Sequence, residues 1–416
     1  MAYDVDYVRR QFPALSLEVS GYPAVYLDGP GGTQVPQRVI DAVVNYLVRC
    51  NANAGGPFHT SRESDRILKE SRLAVADFLG AEADEVSFGQ NTTTLMFQLA
   101  LALGRDKQKE RNEILITELD HEANRGPWEA LAQWGFTIRE VRLDPAGCTI
   151  DMDDFQAKLS ERTAVAAFGY ASNGVGTVSD VKQMVNLAHS VGALTVVDAV
   201  HYALHGPIDV KALDTDFLLC SAYKFFGPHL GIFYGKKEVF QTLQTYRLKV
   251  QSEAIPYRME TGTLNHEGIA GAREAVEFIA DLGRRFGRVR DDAAGSERRK
   301  AIVLGMESME EYEQPLARRL IEGLSEMKKV KVHGPSAGSP RTSTVSFTVD
   351  RMHSERVAEL LGEKGFFVWA GHFYAIRLVE RLGLQDQGGL VRIGLSPYNT
   401  AGEIERLLDE VGRMAR

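Results

Sequence analysis

Two stretches, Ala193–Val200 (ALTVVDAV) and Asp216–Ala222 (DFLLCSA), decide how this chain folds. Both are short, and both are apolar at odd and even positions alike. That is the pattern of a strand buried on both faces in a parallel sheet. Each ends in polar residues. Asp198 closes the first run and Lys224 follows the second. Outward from this pair, Glu85–Gly89 (EVSFG), Glu113–Thr117 (EILIT) and Ala164–Ser172 (AVAAFGYAS) read the same way. Helical segments lie between them, such as Asp180–Gly192 (DVKQMVNLAHSVG), which closes on a glycine. The alternation predicts an α/β fold, a mostly parallel sheet with helices on both faces. Ligands bind such sheets at the carboxyl ends of the strands. Asn91, His121, Asn173, Asp198 and Lys224 all fall there.

Past Gly283 the character changes. A long charged helical stretch leads to an alternating strand, TSTVSFTVD (Thr342–Asp350), then a helix around Ser354–Gly365 and a closing strand, VRIGLS (Val391–Ser396). This predicts a smaller α+β domain over 284–416 after a large ligand-binding domain over 25–283, with segment 1–24 packing on the small domain. The chain has 416 residues, 44% hydrophobic and 25% charged, ample for large cores. Its 48 basic against 56 acidic residues leave a formal charge of −8, which argues against sequence-independent nucleic-acid binding. Cys50, Cys148 and Cys220 lie far apart with no CxxC spacing, so neither a disulfide framework nor a metal site is expected. The start, MAYDVDYVRRQFP, lacks an apolar signal core, and no apolar run approaches the about 18 residues of a membrane span. A cytoplasmic protein without membrane or nucleic-acid partners is the expectation.

The strand ends carry the candidate chemistry. A lysine desolvated at the end of an apolar strand has a lowered pKa and can serve as a Schiff-base nucleophile, so Lys224 is one candidate. Its plain alternative is a surface lysine. Asp198 can pair with a buried cation such as a pyridine nitrogen, or cap a helix. Asn91, Thr92 and Thr93 open a helix-like run and can hold an anion, or cap that helix only. Ser221 and Tyr223 could donate to the same anion. His121 can stack on a planar ring and move a proton, or be structural. Arg392 can grip a carboxylate with two donors, or be an ordinary arginine.

Taken in order, these motifs resemble the fold type I pyridoxal-phosphate enzymes. They are similar in particular to the class V aminotransferase group that contains the cysteine desulfurases and selenocysteine lyases. The resemblance runs from VYLDGPGGTQVPQRVIDAVVNYL (25–47) and ANAGGPFHTSRESD (52–65) through NTTT (91–94), DHEAN (120–124) and YASNGVGT (170–177). It continues in VVDAVHYALHGPIDV (196–210), SAYKFFGP (221–228) and ETGTLN (260–265), and ends in VRIGLSPYNT (391–400). It implies that pyridoxal 5'-phosphate is the cofactor and that Lys224 bonds to it. Asp198 would pair with the ring nitrogen, His121 would stack on the ring, and His201 would contact its phenolic oxygen. Asn91, Thr92, Thr93, Ser221 and Tyr223 would hold the phosphate, with Thr263 of a second subunit completing the site of a homodimer. Asn173, Arg392 and His59 would face an amino-acid substrate.

The chain also departs from the desulfurase pattern. Tyr223 replaces the usual histidine before the lysine, and His201 replaces a glutamine; both can still donate hydrogen bonds. The loop R-[TS]-G-x-x-C aligns with Trp369–Ala375 (WAGHFYA), so Tyr374 stands where the sulfur-accepting cysteine belongs. A thiolate is the nucleophile that persulfide formation needs. The expected activity is therefore a C–S or related β-elimination lyase that uses no protein persulfide. An aminotransferase, an epimerase or a catalytically retired binding subunit are the alternatives. Rings at Trp369, Phe373 and Tyr374 hint at a substrate larger or more apolar than cysteine; ordinary loop packing would place them as well.

Overall fold

A computed structural model describes residues 2–105, 110–288 and 295–416. The central sheet has seven strands. In chain order these are β1 (Val86–Gly89), β2 (Glu113–Thr117), β3 (Thr137–Val141), β4 (Thr163–Gly169), β5 (Leu194–Asp198), β6 (Phe217–Ser221) and β7 (Gly231–Gly235). Across the sheet they run β1-β7-β6-β5-β4-β2-β3. All are parallel except β7, which is antiparallel to both its neighbours. The two strands that open the sequence argument lie side by side, with Val196 opposite Phe217 and Asp198 opposite Leu219.

The double-sided apolarity of these strands is used in full. Leu115, Phe168, Val197 and Leu218 pack into one core with the helices His59–Leu79, Val181–Ser190 and His266–Phe286. Ile116, Ala167, Val196 and Leu219 face a second core with Leu95, Met96 and Leu99 of helix Thr92–Arg105 and with Trp128. β3 and β7 are the strands the sequence reading passes over. β3 is an edge strand, mostly open to solvent, so it lacks the continuous apolar signature. β7 (GIFYG) is fully buried, but it is flanked by turn-like residues and its glycine has a structural cause. A Cβ on Gly231 would come within 2.5 Å of the Asn91 carbonyl carbon, so the strand passes directly beneath the start of helix Thr92–Arg105.

The second sheet is four-stranded and antiparallel, ordered Val330–His333, Thr344–Val349, Leu390–Gly394, Trp369–Gly371. Near the expected limits at 25 and 283 the chain serves both parts. Val25 and Leu27 lie in the core of the smaller sheet, and Val25–Tyr26 pairs with Phe366–Phe367. Val8 and Phe12 pack in the large core instead, while Arg9 reaches Glu403 at 2.8 Å, so segment 1–24 bridges both parts. Residue 283 falls inside helix His266–Phe286. The 29-residue helix Glu297–Ser325 sets Ile302, Met306 and Met309 in the large core and Leu316, Leu320 and Leu324 in the small one. One continuous helix thereby ties the two parts. Among the described residues no helix is long and apolar enough to cross a membrane.

Candidate active site

The carboxyl ends of β1, β2, β4, β5 and β6 open onto one cavity of about 260 Å³, which the small domain closes with Trp369, Phe373, Tyr374 and Arg392. Asn91, Thr92, Thr93, His121, Asn173, Asp198, His201, Ser221, Tyr223 and Lys224 all line it. Two expected residues do not. His59 is exposed at the start of helix His59–Leu79, outside this cavity. Its place in a glycine-containing loop did not reveal which way that loop faces. Thr263 lies exposed in a separate groove with Arg72, Tyr257 and Glu260.

Lys224 sits in the tight turn Ala222–Lys224 that follows β6, where the sheet buries it. Burial first, then the charge of Arg392, pulls its pKa down to about 7, against the opposing pull of Asp198 and Asp28. Its ammonium donates to the Pro30 carbonyl oxygen, from the GPGG turn at the edge of the small domain. Asp198 is the last residue of β5. One of its oxygens accepts the Val200 N–H at 2.9 Å, and no other donor reaches it among the described residues. Burial raises its pKa to about 6 despite that bond and Lys224.

His121 follows β2. Its Nδ1 accepts the Ala123 N–H at 3.0 Å, which leaves Nε2 for the cavity side. Burial and the charges of Lys224 and Arg392 hold its pKa down to about 4, so the ring is neutral at neutral pH. The buried Asp120 beside it is a residue the sequence reading missed. Its Oδ2 accepts from the Thr117 hydroxyl at 2.9 Å, and burial followed by the nearby Asp198 raises its pKa to about 7. Its adjacency to His121 at a strand end was the available signal. His201 Nε2 lies 3.2 Å from Thr342 Oγ1 and 3.1 Å from Thr344 Oγ1. These two partners come from the small domain, so local sequence gave no hint of them. Burial holds His201 well below its ordinary pKa.

At the other end, Asn91 caps the 14-residue helix Thr92–Arg105 by accepting the Thr94 N–H at 2.8 Å. Thr92 Oγ1 donates to the Cys220 carbonyl oxygen at 2.9 Å and meets Ser221 Oγ at 2.7 Å. Arg392, in the strand Leu390–Gly394, donates from Nη1 to the Asn173 carbonyl oxygen at 3.0 Å. Its Nε is buried with no hydrogen-bond partner among the described residues. Burial draws its pKa down to about 9, so it stays cationic at neutral pH.

These residues fit pyridoxal phosphate on their chemistry. A buried carboxylate with one oxygen unengaged suits a protonated ring nitrogen. Hydroxyls gathered at a helix N-terminus suit a phosphate. A buried lysine whose pKa is drawn down to about 7 holds a substantial neutral fraction near that pH, and the neutral amine can attack an aldehyde. A buried guanidinium with an unpaired donor suits a substrate carboxylate. No grouping of His, Cys, Asp or Glu suited to a metal occurs among the described residues.

The sequence profile of the aminotransferase class-V family matches residues 25–294 and 299–407. A cysteine desulfurase of Pectobacterium atrosepticum is 29% identical over 432 aligned residues, covering 100% of this chain and 99% of that protein. One of Yersinia pseudotuberculosis is 30% identical with the same coverage. The apo structure of a cysteine desulfurase from Thermococcus onnurineus superposes with a TM-score of 0.87 at 27% identity, covering 100% of this chain and 99% of the other. The chain therefore belongs to the class-V aminotransferase family and is a pyridoxal-phosphate-dependent enzyme with the fold type I architecture.

Proposed function

We propose that this enzyme removes a β-substituent, sulfur or selenium, from an amino acid and passes it to no cysteine of its own. The observation that carries this reading is the composition of the cavity wall. No cysteine lines the cavity among the described residues, and Tyr374 occupies the loop position where the desulfurase motif has its thiol. Cys148 and Cys220 are buried, and burial pushes both thiols up, Cys148 to about 11, which suppresses the thiolate. Cys50 is only partly buried and lies in a different groove.

In this reading Arg392 and Asn173 orient the substrate carboxylate. Thr92, Thr93, Ser221 and Tyr223, with Asn91, hold the phosphate. Thr263, exposed on its own chain, completes the partner subunit's phosphate site in a homodimer. Bound in the cavity, the cofactor supplies an electron sink for negative charge at the substrate α-carbon. Asp198 would stabilise positive charge at the ring nitrogen, neutral His121 would pack on the ring face, and His201 would donate to the phenolic oxygen. Neutral Lys224 takes the α-proton, and the C–S bond then breaks with its electron pair leaving on sulfur. The net change converts one S-substituted cysteine and one water to pyruvate, ammonium and a thiol. The unpaired cysteines support a reducing compartment, the cytoplasm.

Product analysis tests the proposal. Holoenzyme incubated with cysteine and S-substituted cysteines is expected to yield pyruvate and thiol in equal amounts. Alanine with sulfur retained on the protein would identify a desulfurase and overturn it. A keto acid that keeps the side chain would identify a transaminase and overturn it as well.

A further inference from the structure

Three aromatic side chains of the small domain stand around the amino-acid anchor, and no step above uses them. The Phe373 ring centre lies 4.1 Å from the guanidinium carbon of Arg392. A Cβ on Gly31 would lie 3.0 Å from Trp369 Nε1 and 3.8 Å from Arg392 Nη2, so the indole and the arginine converge on one bare glycine. The Tyr374 ring centre is 5.3 Å from that of His121. The three rings thus lie next to the carboxylate anchor, a backbone turn and the ring stacker.

Their placement is enforced. Phe373 and Tyr374 have φ of 52° and 59°, two consecutive non-glycine residues in the left-handed region. That conformation persists only where the surroundings over-determine it. Here Asn173 Nδ2 donates to the Phe373 carbonyl oxygen at 2.8 Å, and the Glu122 N–H donates to that of Tyr374 at 2.8 Å. The Tyr374 N–H donates to His372 Nδ1 at 3.0 Å. Asn173 and Glu122 belong to the large domain, so the two domains together hold the loop in a strained form. The result leaves Trp369 54% and Tyr374 64% exposed at the cavity mouth.

We propose that Trp369, Phe373 and Tyr374 determine specificity, selecting amino acids whose β-substituent ends in an aromatic ring or another large apolar group. Leu119 and Ile150 extend the apolar lining. A thiol as short as that of cysteine leaves the rings facing water, whereas a flat apolar group stacks on them and excludes it. A cationic substituent is disfavoured, because the buried Arg392 guanidinium already places positive charge in the cavity. The inference rests on reading the cavity as an amino-acid lyase site.

The test compares L-cysteine, S-methyl-L-cysteine and S-phenyl-L-cysteine on the holoenzyme, reading KM and kcat from pyruvate and affinity from the cofactor's absorbance. The S-phenyl substrate is expected to show a KM about ten-fold below that of cysteine. W369A and Y374A are each expected to raise the S-phenyl KM by about three- to ten-fold more than the cysteine KM, with W369F and Y374F restoring the preference. Equal KM values across the three substrates would overturn the inference and leave the lyase reading standing. Variants that raise every KM alike, or that change oligomeric state without changing preference, would assign the rings a structural role and also overturn it. Absence of any absorbance change with any amino acid would sink both readings.

Discussion

Arg392 is gripped from both domains: its guanidinium lies over the Phe373 ring at 4.1 Å, and its Nη1 donates to the Asn173 carbonyl oxygen at 3.0 Å. The ring and the carbonyl fix its orientation, and its buried Nε has no partner among the described residues. In the proposed function a substrate carboxylate completes that arrangement. Charge-assisted hydrogen bonds are worth about 1.5–3 kcal/mol. R392A is therefore expected to raise KM for every amino acid by about ten- to a hundred-fold. R392K keeps the charge but loses the fork, and should recover only part of the loss. Steady-state kinetics checks this.

Asp198 is predicted to govern the chemistry more than the binding. D198N keeps the shape of the side chain and the possibility of accepting from Val200 N–H, but removes the negative charge. The expected outcome is a fall in kcat of about a hundred-fold or more, with a smaller change in cofactor affinity. Rapid-mixing kinetics and equilibrium titration with pyridoxal phosphate separate the two quantities.

The capture of pyridoxal phosphate by the apoenzyme should follow the charge state of Lys224. Its pKa is drawn down to about 7, and only the neutral amine attacks an aldehyde. The capture rate should therefore rise about ten-fold per pH unit below pH 7 and level off above it. The same shift has a stability consequence. Between about 7 and the ordinary lysine value of 10.5 the unfolded chain binds this proton and the folded chain does not, so the contribution of Lys224 favours folding increasingly as pH rises through that window. Asp198, raised from 3.8 to about 6, acts oppositely: the folded chain holds its proton in that window, and its contribution falls as pH rises. Stopped-flow absorbance and denaturant titrations at several pH values check both.

Glu260 precedes the loop that carries Thr263. It pairs with Arg72 through bonds of 2.7 and 3.1 Å and also accepts the Phe88 N–H at 2.9 Å, all largely buried. Removing one partner leaves a buried charge without compensation, at a cost of about 3–5 kcal/mol. E260A should lower the urea midpoint accordingly.

Much of this arrangement was legible in the sequence because buried parallel strands carry their own signature. The EILIT run matches β2 residue for residue, and the runs around β1, β4, β5 and β6 differ from the observed strands by a few residues at their ends. Residues just beyond those ends line the cavity for the same reason: in this topology a strand's carboxyl end fixes where the next residues lie. What stayed hidden was contributed at a distance. Thr342 and Thr344 reach His201 across about 140 residues of chain, and the turn holding Pro30 reaches Lys224 across 194. Charge patterning marks the solvent face of a helix, not which core its other face joins, so the charged stretch past 283 did not show how it packs. The helix Glu297–Ser325 serves both cores.

The central claim is elimination without a protein-bound persulfide, and intact-protein mass spectrometry during turnover of an S-substituted cysteine tests it most directly. The account predicts that pyruvate and thiol accumulate together while the mass of the polypeptide shows no added sulfur at any time. A species heavier by one sulfur atom, formed and consumed at the rate of turnover and mapped to Cys50, Cys148 or Cys220, would contradict it.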